Sequence, residues 1–415
     1  MRILWVKAGK LLPVDTGGKI RSYNILRHLA RNHHVTLLSY YGGQRDSEYE
    51  IAIQREFHGA QTIYTAALDG HFVAQALDYV GGVFQPAPFA VSKFTNPKVQ
   101  RAVSGWLQGQ KLDVAVCDFL SASRNFPNKL LTPTVLFQHN VESALWRRMA
   151  DAESNPAKRL VYQLEAKKML SYERSALGKF DHVIAVSEHD RQQFLAMDPG
   201  SSITVVPTGV DTQKYTPAPP ASADPPRIVF TGSMDWEPNI DAVAYFCSEI
   251  FPRIRAEFPQ AVFQIVGRNP HLRVKQLAST FVEVTGTVPS VSKYLNEASV
   301  MVVPLRIGGG TRLKIFEAMA VGKAVVSTSI GAEGLDVQSG RDLILADDAK
   351  SFAEAVCLLL RDAQRRRGYE QAAAKVAAQY DWSNIERLFS KILSDVSSAQ
   401  PPRVTSRETG ASAQS

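Results

Sequence analysis

Apolar residues follow two rhythms along this chain. In the first half, short unbroken runs, "RILWV", "HVTLLSY", "VAVCDF", "TVLFQH" and "HVIAVS", are rich in β-branched residues and predict buried strands. Between them, apolar residues recur every three or four positions, as from Ile20 to Arg31, which predicts helices packed on a sheet. Strand–helix alternation of this kind predicts an open, mainly parallel sheet with helices on both faces. The rhythm stops at "PTGVDTQKYTPAPPASADPP", Pro207 to Pro226, where clustered prolines prevent both a helix and a central strand. A second series follows: "RIVFTGS", "AVFQIVG", "FVEVTG", "VMVVPL", "AVVSTS" and "LILAD". The predicted fold class is therefore α/β, with two doubly wound, Rossmann-like halves. The first covers residues 1–210, a proline-rich linker 211–226, and the second 227–380. Such sheets bind ligands beyond the carboxyl ends of their strands, so the cleft between the halves is the expected site. From 396 to 415 the chain is polar and rich in Ser, Pro and Gln, which predicts a disordered tail.

Composition narrows the picture modestly. The chain has 415 residues, 45% of them hydrophobic, enough for two ordinary cores. No run of about 18 apolar residues occurs, so no membrane span is expected. The opening "MRILWVKAGK" reads as a first strand and not as a signal peptide. Cys117, Cys247 and Cys357 are widely spaced in apolar segments, as expected of free thiols in a reducing, cytoplasmic compartment. The net charge of +7 fits an anionic partner, but it is spread over the chain. A denser basic stretch lies between Asn155 and Phe180.

Several common sites are absent from the sequence. Neither half has a G-x-G-x-x-G after its first strand, no Walker A loop occurs, and no H-E-x-x-H metal motif is present. No metal and no bound cofactor are expected. The charge is diffuse and no nucleic-acid recognition motif appears, so a nucleic-acid partner is not expected either.

The strongest positive signal is "RIGGGTRLKIFEAM", Arg306 to Met319. Gly308, Gly309 and Gly310 follow a strand and leave backbone N–H groups open to a ligand. Thr311 is placed to cap the next helix, whose free amides and partial positive charge suit phosphate. Arg312 and Lys314 add full charges in its first turn, and Glu317 shares a helix face with Lys314. The same residues could also form a Gly-rich turn with an exposed ion pair behind it. A second turn, "VFTGSMDWEPN", ends a strand at Gly232–Ser233, with Asn239 as the expected helix cap. In the first half, Gly17 and Gly18 precede the first helix. His139 ends a strand, where it could hydrogen-bond or exchange protons, and Asn140 is placed to cap the following helix. Ser187 and Asp190 fit a capping box.

Taken together and in order, the Gly17–Gly18 loop, "FQHNVESALW", "VPTGVD", "VFTGSMDWEPNIDAVAYF", "FQIVGRNP", "VTGTV" and "VVPLRIGGGTRLKIFEAMAVGKAVVSTSIGAEGL" resemble the retaining nucleotide-sugar glycosyltransferases of family 4, which have the GT-B fold. "YDWSNIERLF" resembles that family's closing helix, and implies that residues 381–395 cross back to the first half. The resemblance implies a nucleoside diphosphate sugar as donor and no metal. Arg312 and Lys314 would bind the diphosphate, Glu317 the ribose, and Gly232 and Ser233 would line the phosphates. Arg268 and Val288 would lie near the nucleobase. Gly17 and Gly18 would approach the donor, and His139 would sit beside the transferred sugar. Two departures stand out: Gly309 occupies the place of a glutamate that many members use on the donor sugar, and "TGSMDWEPN" lacks the usual Arg and Lys.

The resemblance implies sugar transfer to an acceptor hydroxyl with retention of configuration, in polysaccharide or glycolipid synthesis. Two rivals stay open: a nucleotide-sugar epimerase, and a non-catalytic nucleotide-binding subunit of a polysaccharide assembly complex. The acceptor is expected at the first half. Lys158, Arg159, Lys167 and Lys168 would suit a peripheral contact with an anionic membrane at its inner face, or merely a solvated helix face.

Overall fold

The computed structural model describes residues 1–65, 87–109, 111–128, 132–218, 225–307 and 313–399. Two parallel sheets organise them. The first contains β1 (Arg2–Ala8), β2 (His34–Tyr41), β3 (Gln61–Tyr64), β4 (Val114–Asp118), β5 (Thr134–Phe137), β6 (His182–Ala185) and β7 (Ile203–Val205), in the order β3-β2-β1-β4-β5-β6-β7. The second contains β8 (Arg227–Thr231), β9 (Val262–Val266), β10 (Val282–Gly286), β11 (Val300–Val303), β12 (Val325–Ser327) and β13 (Ile344–Leu345), in the order β10-β9-β8-β11-β12-β13. Both are doubly wound, as the apolar runs imply. Each sheet reverses its winding beside its first strand, between β1 and β4 and between β8 and β11. A crevice opens at such a point because the flanking connections leave in opposite directions.

The strand runs are apolar on both faces because helices cover both. In β1, Ile3, Leu4, Trp5 and Val6 are fully buried, Ile3 and Trp5 in one cluster and Leu4 and Val6 in another. The last helix, Trp382–Ser398, packs on the first sheet although it follows the second in sequence. The Phe389 ring centre lies 5.6 Å from that of Trp5, tilted, and 5.1 Å from that of Phe137, edge-on. Asp381 caps it by accepting from the Ser383 amide at 2.9 Å. The helix continues past the predicted end at 395 to Ser398, because Val396 extends the apolar face of Ile392 and Leu393. Residues 219–224 of the predicted linker and 400–415 of the predicted tail lie outside the described residues.

Three local expectations are corrected. Gly17 and Gly18 do not precede the first helix but begin it: the helix is Gly17–Asn32, with Thr16 as its N-cap residue. Asn239 is not a cap, since its helix, Glu237–Tyr245, begins before it at Trp236, with Pro238 in the first turn. Nor does Asn140 cap the helix Glu142–Ala152. Its first amides are met instead by buried Glu173, whose two oxygens accept from Glu142 N at 2.7 Å and Ser143 N at 2.9 Å. The capping box holds: Ser187 Oγ accepts from the Asp190 amide at 3.0 Å and donates to its carboxylate at 2.7 Å. Cys117 and Cys357 are buried and Cys247 is half-buried, all three as free thiols.

Candidate active site

The two crevices face one another. On the first sheet, parallel register sets Lys7 beside Asp118 where β1 and β4 end. Their side chains pair at 3.0 Å, and both are buried. The Asp118 oxygen that meets Lys7 also accepts from Trp5 Nε1 at 2.9 Å, while its other oxygen lies 2.9 Å from His139 Nε2. Burial works against the Asp118 charge, but Lys7 and His139 hold its carboxyl well below the usual range. Burial also pushes His139 down to about 4, despite the pull of Asp118, so its imidazole is neutral near pH 7. Phe119 follows Asp118 with φ at +80°, a conformation that costs a non-glycine residue energy, and its ring meets the His139 ring edge-on at 5.2 Å.

The cluster continues into the first helix. Lys7 Nζ donates to Ser22 Oγ at 3.2 Å, and Ser22 Oγ donates to the Gly18 carbonyl at 3.0 Å. A methyl group on Gly18 would sit 3.3 Å from His139 Nδ1, so only glycine lets the helix start settle on the imidazole without a shift. Lys7, Gly17, Gly18, Arg21 and His139 line one cavity at the cleft.

On the second sheet, Gly232 follows β8. A side-chain carbon there would lie 2.9 Å from Lys314 Nζ, and one on Gly267 would collide with the Gly232 carbonyl. Lys314 comes from the helix Leu313–Ala320; it donates to Asn239 Oδ1 at 3.0 Å and rests over the Phe230 ring at 3.9 Å. Asn239 in turn donates to the Ser233 carbonyl at 2.8 Å, which fixes the turn. Glu317 accepts from Tyr215 at 2.8 Å, and burial raises its carboxyl pKa. Arg268 donates to Ser233 Oγ at 2.9 Å and crosses the cleft to Asp15 at 2.9 Å. Val288 follows β10, half-buried against the core of the second half. Arg306 is tied back to Asp241 at 3.0 Å, but Gly308, Gly309, Gly310, Thr311 and Arg312 lie outside the described residues.

The halves touch at more than Arg268. Leu313 approaches to 3.6 Å of where a Gly17 side chain would begin, so the starts of the Gly17–Asn32 and Leu313–Ala320 helices meet across the cleft. Arg148 of the first half grips Glu333 of the second with bonds of 2.7 and 2.8 Å. Lys7, Asp118 and Tyr215 were not singled out in the sequence, and Asn239 was expected only as a helix cap. For Lys7 and Asp118 a signal was present: opposite charges near the ends of two apolar strands, "ILWVKA" and "VAVCDF". Among the described residues, no group of three or more His, Cys, Asp or Glu could hold a metal ion.

Two parallel-sheet domains with their switch points turned to a shared cleft define the GT-B architecture of glycosyltransferases. Residues 16–214 match "Glycosyltransferase Family 4" and residues 225–362 match "Glycosyl transferases group 1". The two matches lie one on each half, together span most of the chain, and support a glycosyltransferase of the GT-B type. It is 28% identical over 339 residues to a phosphatidyl-myo-inositol mannosyltransferase of Mycolicibacterium smegmatis, covering 78% of this chain and 82% of the relative. It is 27% identical over 248 residues to a GDP-mannose-dependent α-(1-6)-phosphatidylinositol monomannoside mannosyltransferase of Mycobacterium tuberculosis, covering 52% of this chain and 63% of that protein. Among solved structures, sucrose-phosphate synthase from Thermosynechococcus elongatus has the same fold, with a TM-score of 0.70 at 17% identity, covering 95% of this chain and 99% of that one.

Proposed function

We propose that the chain transfers a sugar from a nucleoside diphosphate sugar to an acceptor hydroxyl, with retention of anomeric configuration, in the synthesis of a cell-surface glycolipid or polysaccharide. One observation carries this reading: two helix starts meet across the cleft, with Lys314 at one and the Gly17–Gly18 turn at the other. Both present free amides and a partial positive charge, which suits a diphosphate held between the halves. Bond breaking builds negative charge on the leaving phosphate. Lys314, with Arg312 beside it in sequence, stabilises that charge most in the transition state. Gly232 and Ser233 line the phosphates, Glu317 takes the ribose, and Arg268 and Val288 flank the base. His139 meets the transferred sugar. Kinship with phosphatidylinositol mannosyltransferases favours mannose and a lipid acceptor.

Nucleoside diphosphates and their sugars, with uracil, guanine or adenine as base, are the first test. The right one raises the melting temperature. Acceptor-dependent release of the nucleoside diphosphate, with a product of unchanged anomeric configuration, is the expected result. Donor consumption without acceptor would instead make the chain an epimerase, and binding without any turnover would make it a non-catalytic subunit.

The acceptor reading extends to a membrane surface. On the helix Pro156–Leu177, Leu160 is 57% and Leu164 39% exposed, one turn apart, with Lys158, Arg159 and Lys167 exposed around them. Lys168 is partly taken by Glu165 at 3.3 Å. Apolar residues ringed by cations suit an anionic bilayer. Among the described residues no helix is long and apolar enough to cross one. Sedimentation with anionic liposomes at low salt, lost in Leu160→Asp, is the expected outcome; no sedimentation at low salt would remove this part of the reading.

A further inference from the structure

The group best placed to act on the transferred sugar, His139, is governed by residues beneath it. His139 Nε2 is sealed from solvent and lies 2.9 Å from Asp118 Oδ1, off the line of an ideal hydrogen bond; among the described residues no other acceptor is shown beside it. That oxygen likewise has no other partner. A carboxylate can only accept, so the ring nitrogen that faces it carries the proton. The opposite nitrogen, Nδ1, faces Gly18 and the cavity that Gly18 and His139 line.

We propose that Asp118, backed by Lys7, is a positioning residue for the transfer: it fixes His139 with its proton on Nε2, leaving Nδ1 as a hydrogen-bond acceptor for a hydroxyl of the moving sugar. The inference rests on the reading of His139 as a neighbour of that sugar. Three features support it. First, Asp118 is anchored on its second oxygen by Lys7 and Trp5, so the carboxylate cannot turn away. Second, Lys7 neutralises it. A lone buried anion would draw a second proton onto His139 and turn Nδ1 into a donor; with Lys7 paired to Asp118 and Arg21 nearby, the ring stays neutral. Third, a buried ion pair is weak as a stabilising device, because desolvating both charges offsets much of their attraction. This pair lies at the switch point, in register across β1 and β4, directly under the cavity.

The test begins with the unmodified protein. With 15N-labelled histidine, the His139 resonance, identified by its loss in His139→Gln, is expected to show the neutral ring protonated on Nε2. Asp118→Asn keeps the volume but offers an amide donor to Nε2, which reverses the tautomer. Its kcat is expected to fall roughly 100-fold or more, as when a histidine is held in the wrong tautomer, while nucleoside diphosphate affinity is retained. Lys7→Met is expected to lift the His139 pKa and add an acid limb to the pH–kcat profile near neutrality. Protonation of wild-type His139 on Nδ1, or an Asp118→Asn enzyme with reversed tautomer and unchanged kcat, would overturn the proposal while leaving the transferase reading intact. Full activity of His139→Gln would instead remove His139 from the sugar, and the proposal with it.

Discussion

The two switch points of this protein use charge in opposite ways. Between β1 and β4, Lys7, Asp118 and His139 are buried and pair with one another. Between β8 and β11, Lys314, Ser233 and Arg268 are half-exposed; Lys314 meets the neutral Asn239, and Arg268 meets Ser233 and, across the cleft, Asp15. A sealed cluster holds geometry, because its groups have no solvent to turn toward. An open one can exchange its partners for an incoming anion and release it afterwards. On the proposed reading, a diphosphate would displace Asn239 and Asp15 from these cationic groups. On that reading, the first half orients and the second stabilises charge.

The largest effect is expected from the open side. If Lys314 stabilises the leaving phosphate as proposed, Lys314→Ala is expected to cost on the order of 10²–10³-fold in kcat/KM, with folding preserved. Steady-state kinetics beside a melting curve checks this; wild-type turnover would place the charge stabilisation elsewhere.

Next comes a pH test of the sealed side. Buried Glu173 caps the helix that follows His139, and burial raises its carboxyl pKa to about 7. The folded state then binds a proton that the unfolded chain gives up near its ordinary value, so this contribution is present below about pH 4.5 and is lost as pH rises through 7. The shift corresponds to about 3 kcal/mol. Wild-type stability is expected to decline from pH 5 to 8 relative to Glu173→Gln; parallel denaturation curves for the two at every pH would mean that this carboxyl is not shifted.

Smaller still is Gly18→Ala. Its methyl group meets His139 Nδ1 at 3.3 Å, so the ring or the helix start shifts by a few tenths of an ångström. About a tenfold loss in kcat is expected, because small misplacements at a reacting centre are costly, with nucleotide affinity held. A loss in affinity alone would show that the turn serves binding and not orientation. The least effect is expected from Arg148→Ala. Its bond to Glu333 joins the halves but is part-exposed, which limits it to about 1 kcal/mol. A modest rise in donor KM would fit a contact that favours the closed cleft; a loss comparable to that of Lys314→Ala would move Arg148 into the transfer machinery.

Much of the fold is legible in the strand runs, since a strand buried on both faces has few alternatives to a continuous apolar sequence. Two edge strands, Gln61–Tyr64 and Ile203–Val205, escape that reading because they are short and covered on fewer sides. Helix starts are less legible. Asn140 and Asn239 have the composition of caps, but a glutamate from another helix satisfies one helix start, and the other begins earlier. The Asn239 side chain is then free to bridge Ser233 and Lys314, a role that no local pattern announces.

By itself the sequence determined two doubly wound sheets, a glycine pair opening the first helix region, and a basic helix start after β11. These are local properties, set by side-chain period, proline and glycine placement, and the charge within one turn. The tertiary structure decided which distant residues share a site. Lys7 and Asp118 are 111 positions apart, and Asp15 and Arg268 are 253 apart. Parallel strands cannot be joined by a tight turn, so neighbours in a doubly wound sheet are remote in sequence, and the residues at a switch point come together only when the crossovers are complete.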